Sequence, residues 1–318
     1  MLLSRVADAL YWLGRYIERA EHTTRLLLVT EDMATEVQGL DEELAQAEWN
    51  DLLAVFPGSR LVDRTAPTFA PLAVPYLASF YLEDLNPLST FFSLRKAREN
   101  ARAVREALTV EVFLNLNDTY RTLEAHARKG IADLPAFRDA LTATQRGLLA
   151  TVGAVEHTLT RDHCWLFLKL GEAMERSLRT ALILSGKLPA LLAPEPRADA
   201  LFYTRWRSLL RGLASLENYR KLYGARMEPE LVIAFILFDA HAPRALNYGC
   251  HAVKDYLDRI AGSGERTPAA RVMGRLCARL AYDDGQGMRQ GEVLGFLLGI
   301  LAEMDTAHET LSAQYFVT

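Results

Sequence analysis

The chain has 318 residues, half of them hydrophobic, and a formal net charge of −4. That supplies apolar material for one large or two ordinary cores and excludes an intrinsically disordered chain. A slightly acidic balance gives no overall attraction for phosphate backbones or anionic lipid, so neither nucleic acid nor a membrane is an expected partner.

The first stretch, MLLSRVADALYWLGRYIER, carries Arg5, Asp8, Arg15 and Glu18 where a signal peptide needs an unbroken apolar region, so a cytoplasmic protein is expected. Across residues 2–28, Val6, Leu10, Leu13, Ile17, Ala20 and Leu28 recur at helical spacing and predict a long amphipathic helix. Similar patterns predict helices over 42–55, 86–108, 109–128, 133–159, 165–184, 205–222, 229–239, 242–260, 267–282 and 289–313. The fold class expected is all-α, a helical bundle. Proline and glycine place loops at 57–71, at 187–200 and at 262–264. Asn86 reads as an N-cap with Pro87 in the first helical position. The apolar runs at 231–238 and 293–302 are too short to span a bilayer and read as core helices. Cys164, Cys250 and Cys277 are odd in number and lack a CxxC pair, which fits buried thiols in a reducing compartment.

Three motifs return in order. LGRYIER at 13–19 reappears as LGEAMER at 170–176, an offset of 157 (170 − 13). Trp49 with Leu52 and Leu53 reappears at the same offset as Trp206 with Leu209 and Leu210, and Glu83 with Pro87 reappears as Asp239 with Pro243 one residue short of it. One offset shared by separate motifs predicts a tandem duplication: a first helical repeat over 1–150, a second over 151–318, and a pseudo-twofold relation between them.

Two constellations have chemical potential. Arg15, Glu18, Arg19 and His22 share a face of the first helix, opposite the Leu10, Leu13 and Ile17 stripe. They read either as the wet side of an amphipathic helix or, flanked by Tyr11, Trp12, Tyr16 and Leu26 and repeated as Glu175-Arg176, as an enclosed polar cluster. Further along, Arg95, Arg98, Arg102 and Arg105 are spaced i, i+3, i+7 and i+10 beside Leu94, Ala97, Ala101, Val104 and Leu108. Those arginines either lie along apolar neighbours and pair with Glu99 and Glu106, or form an anion site. The corresponding region of the second repeat has only the scattered Arg244, Lys254 and Arg259. No histidine follows a glutamate by three residues, no phosphate-binding loop is present, and His157, His163 and Cys164 match no zinc pattern. No metal or cofactor is expected.

The segments LYWLGRYIERAE, NPLSTFFSLRKARENARAVRE, WLFLKLGEAMERS, WRSLL and DAHAPRAL together resemble the bacterial alpha-E family along nearly the whole chain. By that resemblance the signature pairs are Glu18-Arg19 and Glu175-Arg176. The AREN segment supplies Arg98, Glu99, Asn100 and Arg102; Asn86, Pro87 and Ser89 match NPxS; Asn117 and Tyr120 match the polar helix that follows. The chain departs from the pattern at Glu172, Glu83, Phe113 and Ala245. The resemblance implies an accessory or partner subunit of an amide-bond-forming system, alongside a circularly permuted ATP-grasp ligase and a transglutaminase-like protein. The alternative it leaves is an enzyme or substrate-binding subunit with Glu18 and Glu175 as acid or base and the arginine row gripping an anionic, peptide-like substrate.

Overall fold

The structure, a computed structural model, describes residues 2–38, 52, 55, 74–193, 199–262, 267–282 and 290–316. The predicted helix at 42–55, with Trp49 and Leu53, and the loop at 57–71 fall almost wholly outside them. Among the described residues there are twelve α-helices and no strand: α1 Ser4–Gln38, α2 Val74–Leu82, α3 Thr90–Ala103, α4 Val110–Lys129, α5 Leu134–Thr158, α6 His163–Leu191, α7 Asp199–Gly212, α8 Leu216–Tyr223, α9 Pro229–Phe238, α10 Leu246–Ala261, α11 Pro268–Tyr282 and α12 Gln290–Tyr315. The expected all-α class is what the chain forms. Among the described residues no helix is long and apolar enough to cross a membrane.

The chain forms two compact units whose limits fall inside helices. One comprises Met1–Glu31, Val62–Glu175 and Ser312–Thr318; the other comprises Asp32–Leu61 and Arg176–Leu311. In the first, α4 and α5 pack along their lengths, and Gly147 makes room for Thr119, whose Oγ1 would lie 2.3 Å from a Cβ at that position. Tyr81 is buried there with its hydroxyl 2.7 Å from both the Ala140 carbonyl, to which it donates, and Thr144 Oγ1; its ring meets Phe137 edge-on. Also in this unit, α1 and the start of α6 cross at Gly14 and Gly171, where neither helix has a side chain to hold the backbones apart. In the second unit Trp206, Leu209 and Leu210 are buried, as the WxxLL spacing requires. Tyr219 packs between Tyr223 and Phe235 and donates to the Arg226 carbonyl at 2.8 Å.

Several predicted boundaries move, each for a local reason. Asn86 does not cap a helix. Its side-chain oxygen accepts from the Leu88 amide at 3.0 Å and its amide nitrogen donates to the Ser79 carbonyl at 3.1 Å, so Asn86-Pro87 closes a turn after α2. Ser89 is the true N-cap of α3, accepting from the Phe92 amide at 3.0 Å while donating to the Glu83 carbonyl at 2.6 Å. The predicted 86–108 helix also stops early, at Ala103, and Arg105–Ala107 form a 3₁₀ turn, which takes Arg105 off the arginine stripe. The predicted 205–222 helix is two helices. Between them the Ser215 amide bonds the Leu210 carbonyl and the Ala214 amide bonds the Arg211 carbonyl, a helix-ending pair that forces Ala214 to φ +49°. Conversely, α6 runs on through the predicted loop start to Leu191 with Pro189 inside it, and Arg205 donates to the Ala190 carbonyl at 3.4 Å. The predicted start at Ala242 moves to Leu246, with Ala245 in the cap position. Cys250 and Cys277 are buried, but Cys164 is partly exposed.

Helix limits recur along the chain. α2 ends at Leu82 and α3 begins at Thr90; α9 ends at Phe238 and α10 begins at Leu246, 156 residues later at both points (238 − 82 and 246 − 90).

Candidate functional site: a buried arginine–carboxylate cluster

α1 is buried on nearly every side from Tyr11 to Ala34, so the face that carries its charges is inside the protein. Exposure is 6% at Arg15, 3% at Glu18 and 1% at His22. Charges so placed persist only when paired and hydrogen-bonded. Glu175 on α6 has no exposure at all and supplies that pairing. Arg15 Nε donates to one of its oxygens at 2.7 Å; Arg19 Nε donates to the other at 2.7 Å and Arg19 Nη2 to the first at 3.1 Å. The arginine of the first Glu-Arg pair therefore clasps the glutamate of the second. Aromatic rings complete the enclosure. The Arg15 guanidinium carbon lies 4.8 Å from the Trp12 ring centre and that of Arg19 5.2 Å from the Tyr16 ring. Tyr16 in turn meets Trp12 and Phe92.

Titration follows from this packing. Burial pushes the Tyr11 hydroxyl up to about 12, the raising by Glu175 adding to it while Arg15 and Arg19 pull it down. Burial alone would lower Arg15, but Glu175 and Tyr11 outweigh it, and the guanidinium is held charged more firmly than in water.

Glu172 lies at the motif offset of 157 from Arg15 (172 − 15), with a carboxylate in place of a guanidinium, and it too has a partner. Lys169 Nζ is 2.6 Å from Glu172 and 2.6 Å from Glu156 on α5, which also pairs with Arg161. Burial disfavours the Lys169 ammonium, yet the two carboxylates raise its pKa; Glu156 is held below the usual carboxylate range by the same contacts. Spacing along one helix did not reveal this group, because Glu156 reaches it from another. Its one sequence signal is the mismatch of Lys169 with Trp12 and of Glu172 with Arg15 when the halves are aligned. α1 also holds a buried i,i+4 ion pair, Glu21–Arg25, outside the predicted cluster.

The arginine row does not converge. Arg95 pairs with Asp84 and Glu99 and lies over Phe92. Arg98 Nε donates to Asn117 at 2.9 Å, with its guanidinium carbon 4.8 Å from the Tyr120 ring centre. Arg102 points to solvent, and Arg105 turns to the Leu108 carbonyl and the Phe113 ring. Asn100 contributes its carbonyl to the end of α3. Elsewhere the singled-out residues build turns: Asp239 accepts from the His241 and Ala242 amides, Glu83 offers its carbonyl to Ser89, and the Arg244 carbonyl accepts from Thr180 on α6. Arg176 is partly exposed, at the first residue of the second unit's longer segment. Among the described residues no group of three or more potential metal ligands comes together.

A family model described as a predicted alpha-helical domain with a conserved ER motif matches residues 2–316. The chain belongs to the alpha-E family. Curated relatives include uncharacterized proteins of Mycobacterium tuberculosis (strain H37Rv) and Mycobacterium bovis, each 24% identical over 327 aligned residues that cover 97% of this chain. The alpha-E chain spans about a third of those relatives' length, 36%. No solved structure matches it. The two Glu-Arg dipeptides of this alpha-E protein, Glu18-Arg19 and Glu175-Arg176, both belong to the helices that cross at the glycines.

Proposed function

We propose that this alpha-E protein is an accessory or partner subunit of an ATP-grasp amide-bond-forming system, one that docks a ligase and does no bond chemistry itself. The observation that carries the non-catalytic part is Glu175. Both its oxygens are occupied by arginines and it is sealed from solvent, so it is unsuited to move a proton to or from a substrate. The match to only 36% of the mycobacterial relatives supports a partnership: there a segment like this chain is covalently joined to a longer stretch of other polypeptide. The ligase as partner, a transglutaminase-like protein as a second, peptide synthesis or modification as the setting and the cytoplasm as the place rest on the family resemblance, with unpaired Cys250 and Cys277 thiols compatible with the last. We also read the chain as a tandem duplication, supported by the shared motif offset and by helix limits that recur at 156 residues.

The test is affinity capture from the native host followed by an ATP-consumption assay with and without the captured protein. Co-purification of an ATP-grasp ligase whose ATP turnover rises on adding this chain is the expected result. A chain that turns over a peptide substrate alone, and loses that activity in Glu175→Gln while staying folded, would replace this reading with the enzymatic one.

A further inference from the structure

Arg98 is held in a manner that its role in the fold does not explain. Its Nε is anchored on Asn117, itself buried on α4, and its guanidinium plane is backed by Tyr120. Both terminal nitrogens, the forked end of the group, have no acceptor among the described residues. Arg102, one helical turn on, is exposed and likewise has none. The nearby carboxylates that might answer them are engaged: Glu99 by Arg95 and Lys96, Glu124 by Arg128 and the Tyr120 hydroxyl. The result is an arginine whose orientation is fixed before any ligand arrives, with two parallel N–H groups left outward. That is the arrangement that favours bidentate recognition of an oxyanion, since little freedom remains to be lost on binding.

We infer that Arg98, positioned by Asn117 and Tyr120 and assisted by Arg102, binds a carboxylate of an acidic peptide segment. A carboxylate fits because its two coplanar oxygens match the two parallel N–H groups of the fork. Glu99, Glu106, Asp118 and Glu124 stand on the same two elements and their junction, and would oppose a dianion more than a single negative charge. The inference does not require the ligase partnership, and its test uses the isolated full chain.

The experiment is an NMR titration of arginine side-chain Nε–H signals with acetyl-Gln-Glu-Gln-amide, which carries a single carboxylate, with its all-glutamine counterpart and with inorganic phosphate. The glutamate peptide shifts the Arg98 signal saturably and the glutamine peptide does not. Arg98→Ala weakens binding at least tenfold, and Arg98→Lys weakens it nearly as much although the charge is kept. Should Arg98→Ala fail to fold, Arg102→Ala, altered at an exposed side chain, weakens binding about threefold or more. Tighter binding of phosphate than of the peptide overturns the carboxylate assignment. Binding unchanged in both alanine variants, or no shift at Arg98 with any probe, overturns the site.

Discussion

Gly14 and Gly171 occupy matching places at one helix crossing: a Cβ on Gly14 would lie 2.0 Å from the Leu168 carbonyl oxygen, and one on Gly171 would lie 1.9 Å from that of Tyr11. Each glycine faces the carbonyl three residues before the other. Both obstructing atoms belong to helix backbone, which cannot swing aside as a side chain would. Gly14→Ala and Gly171→Ala are each expected to destabilise by about 3 kcal/mol or more. Gly153→Ala in α5, with open space around it, is expected to stabilise by about 0.5–1 kcal/mol. Urea unfolding of the three variants measures this; a mild effect at Gly14 would mean the helices cross at a greater distance.

Removing the charge of Glu175 leaves Arg15 and Arg19 buried around a neutral group. Glu175→Gln is expected to cost about 3–5 kcal/mol, the range for breaking one side of a buried ion pair. Arg15→Met combined with Glu175→Gln should cost less than the sum of the single changes, because the second removes the charge that the first stranded. A double-mutant cycle by chemical denaturation reads the coupling directly.

Ala214 ends α7 in the left-handed region at φ +49°, which disfavours every residue with a side chain except in special contexts. Ala214→Gly is expected to raise stability by about 0.5–1 kcal/mol, seen as a rise of about 1–2 °C in Tm. A lower Tm would show that the alanine methyl has a packing role outweighing the backbone cost.

Tyr11 gives stability an alkaline dependence. Its unfolded form ionises near the ordinary value of 10, while burial holds the folded form protonated up to about 12. Between those values the unfolded state has lost a proton that the folded state keeps, so stability falls as pH rises, by about 1.4 kcal/mol per pH unit for this group. Tyr11→Phe should flatten that part of the decline. Thermal melts at pH 9, 10 and 11 test it: parallel declines in the two proteins would assign the loss elsewhere.

How much of this was legible depended on distance along the chain. Periodicity revealed the helices because each apolar stripe is local. The offset between LGRYIER and LGEAMER pointed to one structural role for both segments, and Gly14 and Gly171 were part of both motifs, but nothing in either string says that one helix lies against the other. The Arg15 and Arg19 clasp on Glu175 was hidden for that reason. Asn86-Pro87 misled differently: the pair has the chemistry of a helix start, and a second capping residue, Ser89, stands three positions later. Side-chain hydrogen bonds decide between them: the Asn86 amide group accepts from the Leu88 N–H and donates to the Ser79 carbonyl, and so is unavailable to α3. Spacing alone makes the arginine row continuous because it assumes an unbroken helix, and the 3₁₀ turn at Arg105–Ala107 breaks it.

Phe316 rests against Tyr11, ring centres 5.2 Å apart, and also meets Phe167. That contact joins residues near the two ends of this sequence, and it sets an order in time. During synthesis α1 leaves the ribosome well before α6, with its arginines and glutamates on a helix made to be enclosed. It must wait for residue 175 to neutralise Arg15 and Arg19 and for residue 316 to cover Tyr11. Loop closures of that span are slow to form, and the waiting helix is exposed throughout. A nascent chain stalled near residue 150 would hold the first Glu-Arg pair without the carboxylate it clasps, a substrate for chaperones more than an independently folded half.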